Sequence, residues 1–427
     1  MIKSEIESLV WAILLVFIFF RPFLSEYAFL SLGFLYVSAL IFCSVFYLLL
    51  IDIRNLFSSR LNLLTIIFTI AILVSILVSG YTDLSLYEFY LFVPNILIFY
   101  IASKIKGKEK KQLIDIIFFS AIVLSIYGLY QYFIGFKHTL GYLKQVGADE
   151  HLLDLLSRRR VFATVVSPNI FASYIVMMLF IGIGLALNTR QKRNIFYWSG
   201  VIVMAITLLL TKSSGGILTF VVTFFIFLFA LMRYKPFGKI TVKRFGLVMA
   251  SLLCIFILIY GIFARDRLLQ FLDLESPNNS ITQRFYYWKA SINMIKDSPL
   301  IGMGWRNFGL FYEFYKPGPA NISHYSHNVF LQIAAEMGIA GFAIFLAMIL
   351  KFLQIGLRVI KNKNDEEQGL KTGFFFAGCV FLMHNLIELS FYFSQVALFW
   401  WIILGLFSNY SSESAKSTAQ ADLYSAA

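Results

Sequence analysis

The chain has 427 residues, of which 59% are hydrophobic and only 14% charged. A soluble enzyme carries close to a quarter charged residues, so this composition, with a mean hydropathy of +0.77, excludes an ordinary water-soluble domain. The net charge of +13 does not point to nucleic acid, because most Lys and Arg lie in short connections between apolar spans.

A helix needs about 20 mainly apolar residues to cross about 30 Å of hydrocarbon. Runs of that kind cover roughly 5–20, 27–50, 61–79, 86–103, 113–135, 168–187, 195–211, 215–232, 245–264, 339–357, 371–387 and 389–407. The expected fold is therefore all-α: a polytopic membrane domain of about twelve spans over residues 1–408, followed by a Ser/Ala-rich tail, 409–427, expected to be disordered and cytoplasmic. The first run lacks a small-residue cleavage site and reads as an uncleaved span. Cys43, Cys254 and Cys379 fall inside apolar runs and read as small hydrophobes rather than a disulfide or metal framework.

Lys and Arg set the orientation. With the amino terminus inside, the inner connections hold Arg54 and Arg60, Lys104 to Lys111, Arg190 to Arg193, Arg233 to Arg244, and Arg358 to Lys371. Arg21 and Lys212 are exceptions on short outer turns. Both termini are expected in the cytoplasm of a bacterial inner-membrane protein. Two outer connections, about 136–167 and 265–326, are longer than a minimal design needs, and loop length is spent where function lives. The second contains Ile281, Phe285, Trp288, Ile292 and Ile295 at helical steps, an amphipathic helix suited to the membrane surface.

In the first loop, Ser157-Arg158-Arg159-Arg160 precedes Ser167-Pro168-Asn169. Ser167 is a good N-cap and Pro168 a good first helical residue, so a span starts there. Outer arginines anchor to anionic headgroups or bind a ligand. Headgroup anchoring competes for Arg158 and Arg159, whereas Arg160, nearest the helix start, reads as an anion ligand, its planar fork matching phosphate oxygens. The turn Thr211–Gly216 offers Lys212, either a further anion contact or a snorkelling side chain. In the second loop Arg284 sits near the start of the amphipathic helix, and Gly302 and Gly304 permit a tight approach of backbone. Ser323-His324-Tyr325-Ser326-His327-Asn328 then leads into a run of about 31 residues, too long for one crossing, which projects outward or breaks at Gly338. Ser326 as cap places His327 in the first turn, where the helix dipole disfavours the imidazolium and leaves a general base. Glu336, nine residues on, falls about 180° around an unbroken helix and reads as structural. No span carries a run of buried acids, no nucleotide loop is present, and Asp273-Leu274-Glu275 is a weak metal signal.

The segments R-x-x-A-T-x-x-x-P-N at Arg160, R-F-Y-Y-W and D-S-P-L-I-G-M-G-W-x-N-F from Arg284, and S-H-N-x-F-L-Q-x-x-x-E-M-G-I-A-G from Ser326 resemble the O-antigen ligase and polymerase superfamily. The resemblance implies a GT-C-like inverting glycosyltransferase that uses no metal, cofactor or nucleotide sugar. It implies transfer, at the periplasmic face, of a glycan from undecaprenyl pyrophosphate to a lipid A–core hydroxyl (ligase) or to another carrier-linked glycan (polymerase). It places phosphate-binding roles on Arg160 and Arg284 and the essential histidine on His327. Arg159 and Lys212 join them as candidate carrier contacts, with Asn328, His324, Glu336 and Asn169 as supporting residues. The sequence departs from the family pattern at Ala163, where glycine is usual, and at Ser214, where many members carry arginine. A transporter is a third reading, disfavoured by spans that are nearly uniformly apolar.

Overall fold

A computed structural model describes residues 2–25, 30–51, 59–147, 153, 156–189, 193–234, 261, 279–318, 320–362 and 366–425, and every regular element among them is helical. In chain order these are α1 (Ile2–Phe20), α2 (Leu30–Leu50), α3 (Arg60–Leu77), α4 (Thr82–Ala102), α5 (Gly107–Tyr130) and α6 (Phe136–Gln145). Then follow α7 (Pro168–Asn188), α8 (Arg193–Leu210), α9 (Ser214–Tyr234), α10 (Ser280–Asp297), α11 (Phe308–Tyr315), α12 (Val329–Lys361), α13 (Gln368–His384) and α14 (Ser394–Ser425). Eight helices among the described residues are long and apolar enough to cross a membrane, and α8 is a shorter apolar helix. The protein is a polytopic membrane protein. Each expected span coincides with a helix except 245–264, which lies outside the described residues, as do Arg54, Cys254 and Asp273 to Glu275.

α7 is the axis of the bundle, with Ile170 to Ala186 buried almost without interruption. Lipid chains are as apolar as leucine, so spans associate through close packing and small residues rather than through expulsion of water. Gly184 of α7 and Gly373 of α13 show this: a Cβ on Gly184 would lie 2.9 Å from the Gly373 Cα. Elsewhere aromatic rings fill the seams. Phe391 packs on Phe92, Phe345, Trp400 and Trp401, joining α4, α12 and α14.

α12 resolves the length problem by breaking at Gly338, whose φ of 66° and ψ of −175° are not helical. A break frees backbone groups that must be satisfied inside the protein. The 299–304 loop does this: Met303 N donates to Ala335 O at 2.8 Å, Gly304 N to Glu336 O at 2.9 Å, and Ile339 N to Pro299 O at 2.8 Å. The approach is so close that a Cβ on Gly338 would stand 2.2 Å from Leu300 O.

Two expectations need correction and two gain detail. Residues 136–145 are helical and continue α5 through a π turn at Gln131–Gly135, so the first outer loop begins after Gln145. The last helix runs to Ser425 across the tail expected to be disordered, where alanine favours helix despite the serines. Arg21 is an exception to the charge rule because it is buried, with Nη1 on Leu24 O and its guanidinium over Tyr36. The amphipathic helix α10 packs through Gln283, Tyr287, Ala290 and Met294, and its apolar stripe, with Phe285 and Ile292, points outward.

Candidate active site

The amino ends of α7, α9, α10 and α12 and the carboxyl end of α13 meet at one end of the bundle. At the other end Lys110 and Lys371 share Glu367 and lie over Tyr410.

Ser167 caps α7 as expected, accepting from Ile170 N at 3.2 Å, with Pro168 in the first turn. The segment before it is held by side chains. Gln131 Oε1 accepts from Phe162 N and Ala163 N, and Thr164 Oγ1 donates to Pro22 O. Val161 N donates to Leu210 O. This clamp fixes two left-handed residues, Arg159 at φ 44° and Ala163 at φ 52°. A Cβ is unfavourable in that region, so glycine is the comfortable residue at 163. Arg160 leaves the clamp with Nε on Thr211 O at 3.1 Å and Nη2 on Asn169 Oδ1 at 2.7 Å. Arg159 is exposed. Lys212, itself at φ 48°, directs Nζ to Arg158 O at 2.9 Å and so ties the α8–α9 turn to this loop.

α10 is capped by Asn279, whose Oδ1 accepts from Ile281 N and Thr282 N. One turn in, Arg284 spreads its guanidinium over three acceptors: Nε to Ile387 O at 3.0 Å, Nη1 to Ser280 O at 3.0 Å and Nη2 to Glu388 Oε1 at 3.4 Å.

α12 is capped by Asn328, not Ser326. Its Oδ1 accepts from Phe330 N and Leu331 N, while Ser326 Oγ donates back to Asn328 O. His327 therefore lies just outside the helix rather than in its first turn, in the left-handed region at φ 51°. The imidazole stacks on Tyr287 at 5.5 Å, and Nδ1 lies 3.2 Å from Glu388 Oε1. Glu336 does not pair with it. Its buried carboxylate accepts from Gln332 Nε2 and Tyr392 OH, and Gln332 in turn accepts from Ser326 N beside the histidine. His324 is exposed and lies over Gly309.

Glu388, in the short connection after α13, joins the parts. A single oxygen, Oε1, faces Arg284 Nη2, His327 Nδ1 and Asn169 Nδ2, the last at 3.2 Å. Asn169 carries the link to Arg160, so both arginines and the histidine, though distant in sequence, converge on one carboxylate. Burial alone pushes such a carboxyl up. His327, Arg284 and His384 outweigh it and hold Glu388 down at about 2. An ionised carboxylate only accepts, so Nδ1 of His327 donates to Glu388 and Nε2 is the ring nitrogen turned away from the acid. The Glu388 side chain is 5% exposed, Arg284 20% and His327 31%, so the acid forms the floor and the imidazole the mouth. Val329 N donates to Asn385 O, and Asn385 Oδ1 accepts from Phe391 N, which fixes the α12 start against the connection bearing Glu388. No sequence pattern marked Glu388. The available signal was an acid closely following His384-Asn385 in an outer turn free of Lys and Arg.

Residues 199–346, which include Lys212, Arg284, His327 and the break in α12, match the family model described as O-antigen ligase. A protein of Haemophilus influenzae described as uncharacterized is 24% identical over 334 residues, covering 72% of this chain and 76% of that relative. Residues 199–346 are therefore similar to the O-antigen ligase family.

Proposed function

We propose that the protein is an inverting glycosyltransferase that moves a glycan from undecaprenyl pyrophosphate to a lipid A–core hydroxyl, with the site facing the periplasm and both termini in the cytoplasm. The convergence of Arg160, Arg284 and His327 on Glu388 carries this reading.

The leaving group is a diphosphate that gains charge as the glycosidic bond breaks, and preorganised cationic donors stabilise such charge without a metal ion. Arg284 uses Nε and one hydrogen on each terminal nitrogen, so one hydrogen on each of Nη1 and Nη2 is left for a pair of phosphate oxygens. Arg160 supports the second phosphate from the other side of Asn169. The acceptor hydroxyl is a weak nucleophile. His327 Nε2 takes its proton while the oxygen attacks the anomeric carbon opposite the diphosphate. The carbon–oxygen bond to phosphate breaks and its electron pair stays on the departing oxygen, so the configuration inverts. Glu388 balances the imidazolium that forms, in the manner of the acid in a catalytic triad.

The test is reconstitution in proteoliposomes with carrier-linked glycan and each acceptor in turn. Transfer to lipid A–core, lost in His327→Ala, supports the ligase. Transfer only to a second carrier-linked glycan assigns a polymerase. Full-rate transfer by His327→Ala removes the base and with it the mechanism.

A further inference from the structure

At the end of the bundle opposite the site, α3 and α12 pack through Phe68 and Phe345 and through Thr65 and Met348. Beside this seam lies an open groove of ≈ 660 Å³. Its floor is Leu63, Leu64, Ala347 and Leu350, of which Leu63 is 48% and Leu350 56% exposed. Its rim is Arg60 and Lys351, and among the described residues no acid lines it. Lys351 lies ten residues inside the end of α12, about 15 Å along the axis. Its ammonium donates to Gln354 Oε1 at 2.9 Å, a neutral partner, while it feels the positive charges of Arg60 and Arg358.

A lysine at membrane depth calls for a partner. Here Arg60 and Arg358 both approach Lys351 above apolar surface, with no carboxylate among the described groove residues, an arrangement that favours an anion attached to a hydrocarbon chain. We propose that this groove binds an anionic glycerophospholipid, its phosphate between Arg60 and Lys351 and an acyl chain along Leu63, Leu64, Ala347 and Leu350. The stem of Lys351 snorkels along α12 toward that phosphate. The site is separate from the one at the other end of the bundle and does not depend on the reaction assigned there.

Native mass spectrometry of the full chain in a mild non-ionic detergent tests it, with phosphatidylglycerol and phosphatidylcholine titrated separately. The wild type retains phosphatidylglycerol roughly tenfold more tightly than phosphatidylcholine, from about a fivefold gain per contacting cation less losses to screening. Arg60→Gln with Lys351→Gln abolishes that preference, and Arg60→Lys with Lys351→Arg keeps it. Leu350→Trp, which fills the floor and leaves both cations in place, weakens retention even if the neutralised variant fails to fold. Equal retention of the two lipids, or a preference that survives loss of both cations, overturns the proposal. So does displacement of phosphatidylglycerol by millimolar inorganic phosphate, which would assign a free-anion site instead.

Discussion

Glu388→Gln isolates the charge of the carboxylate from its shape. The three donors all meet Oε1, and an amide oxygen placed there can still accept from Asn169, Arg284 and His327. The ground-state geometry therefore survives, with loss of about 1 kcal/mol for each of the two charged bonds that becomes neutral. The transition state suffers more. When His327 takes the acceptor's proton, its positive charge stands about 4 Å from the carboxylate, and the attraction is about 4 kcal/mol at an effective dielectric constant of about 20. Losing it should lower kcat about 10³-fold. KM for the carrier-linked donor should change little, because Arg160 and Arg284 remain. The assay is steady-state transfer in proteoliposomes, with thermal unfolding measured alongside. If Glu388→Gln keeps kcat within about threefold of wild type while His327→Ala abolishes transfer, the carboxylate does not serve the imidazole and the dyad is wrong.

Arg284→Lys should cost about 10²-fold in kcat, since an ammonium cannot reach Ile387 O, Ser280 O and Glu388 together and still offer a fork to phosphate; Arg160→Lys should behave similarly, both by the same assay. Ala163→Gly should stabilise the protein by about 1 kcal/mol, read as a raised unfolding temperature, because it removes the Cβ from a residue at φ 52°. Glu388 is depressed to about 2 in the folded protein, so its contribution is present above the ordinary carboxylate range and is lost as pH falls toward 2. The difference in unfolding temperature between wild type and Glu388→Gln should shrink across that window, and a constant difference would contradict it.

The spans were legible because crossing hydrocarbon imposes a run length that few other structures need. The start of α7 was legible because Ser167 and Pro168 are both favourable in their places, and the break at Gly338 because the run after His327 was too long for one crossing. Local competition hid the start of α12. Ser326 and Asn328 are both good caps, and the choice falls to Asn328 once Ser326 bonds to its carbonyl. The helix at 136–145 was hidden because Phe136-Lys137-His138 and the residues after them carry little apolar signal of their own. Glu388 was illegible for a different reason: its partners come from α7, α10 and the entry to α12, and no spacing along the chain records that meeting.

A carboxylate on the floor of the proposed anion site needs an explanation, since it would repel the ligand. Two guanidinium groups held near each other repel as well, and each would otherwise seek separate acceptors. Glu388 offsets that repulsion and sets the Arg284 fork before any ligand arrives, so less ordering is left for binding. The site keeps a positive balance, because Arg160 and Arg284 outnumber the one acid. In the proposed reaction repulsion then dictates where the diphosphate would lie: against the outer edges of the guanidiniums, away from Glu388 and toward the mouth where His327 stands. Nδ1 can face the acid only because His327 leaves the helical path at φ 51°, a conformation that costs about 1 kcal/mol on its own. The bonds of Ser326 to Gln332, of Gln332 to Glu336 and of Glu336 to Tyr392 hold the flanking backbone against relaxation. Those bonds depend in turn on the short segment of α12 that the break at Gly338 separates from the spanning part. The kink that fits α12 to the membrane thus also aims the imidazole.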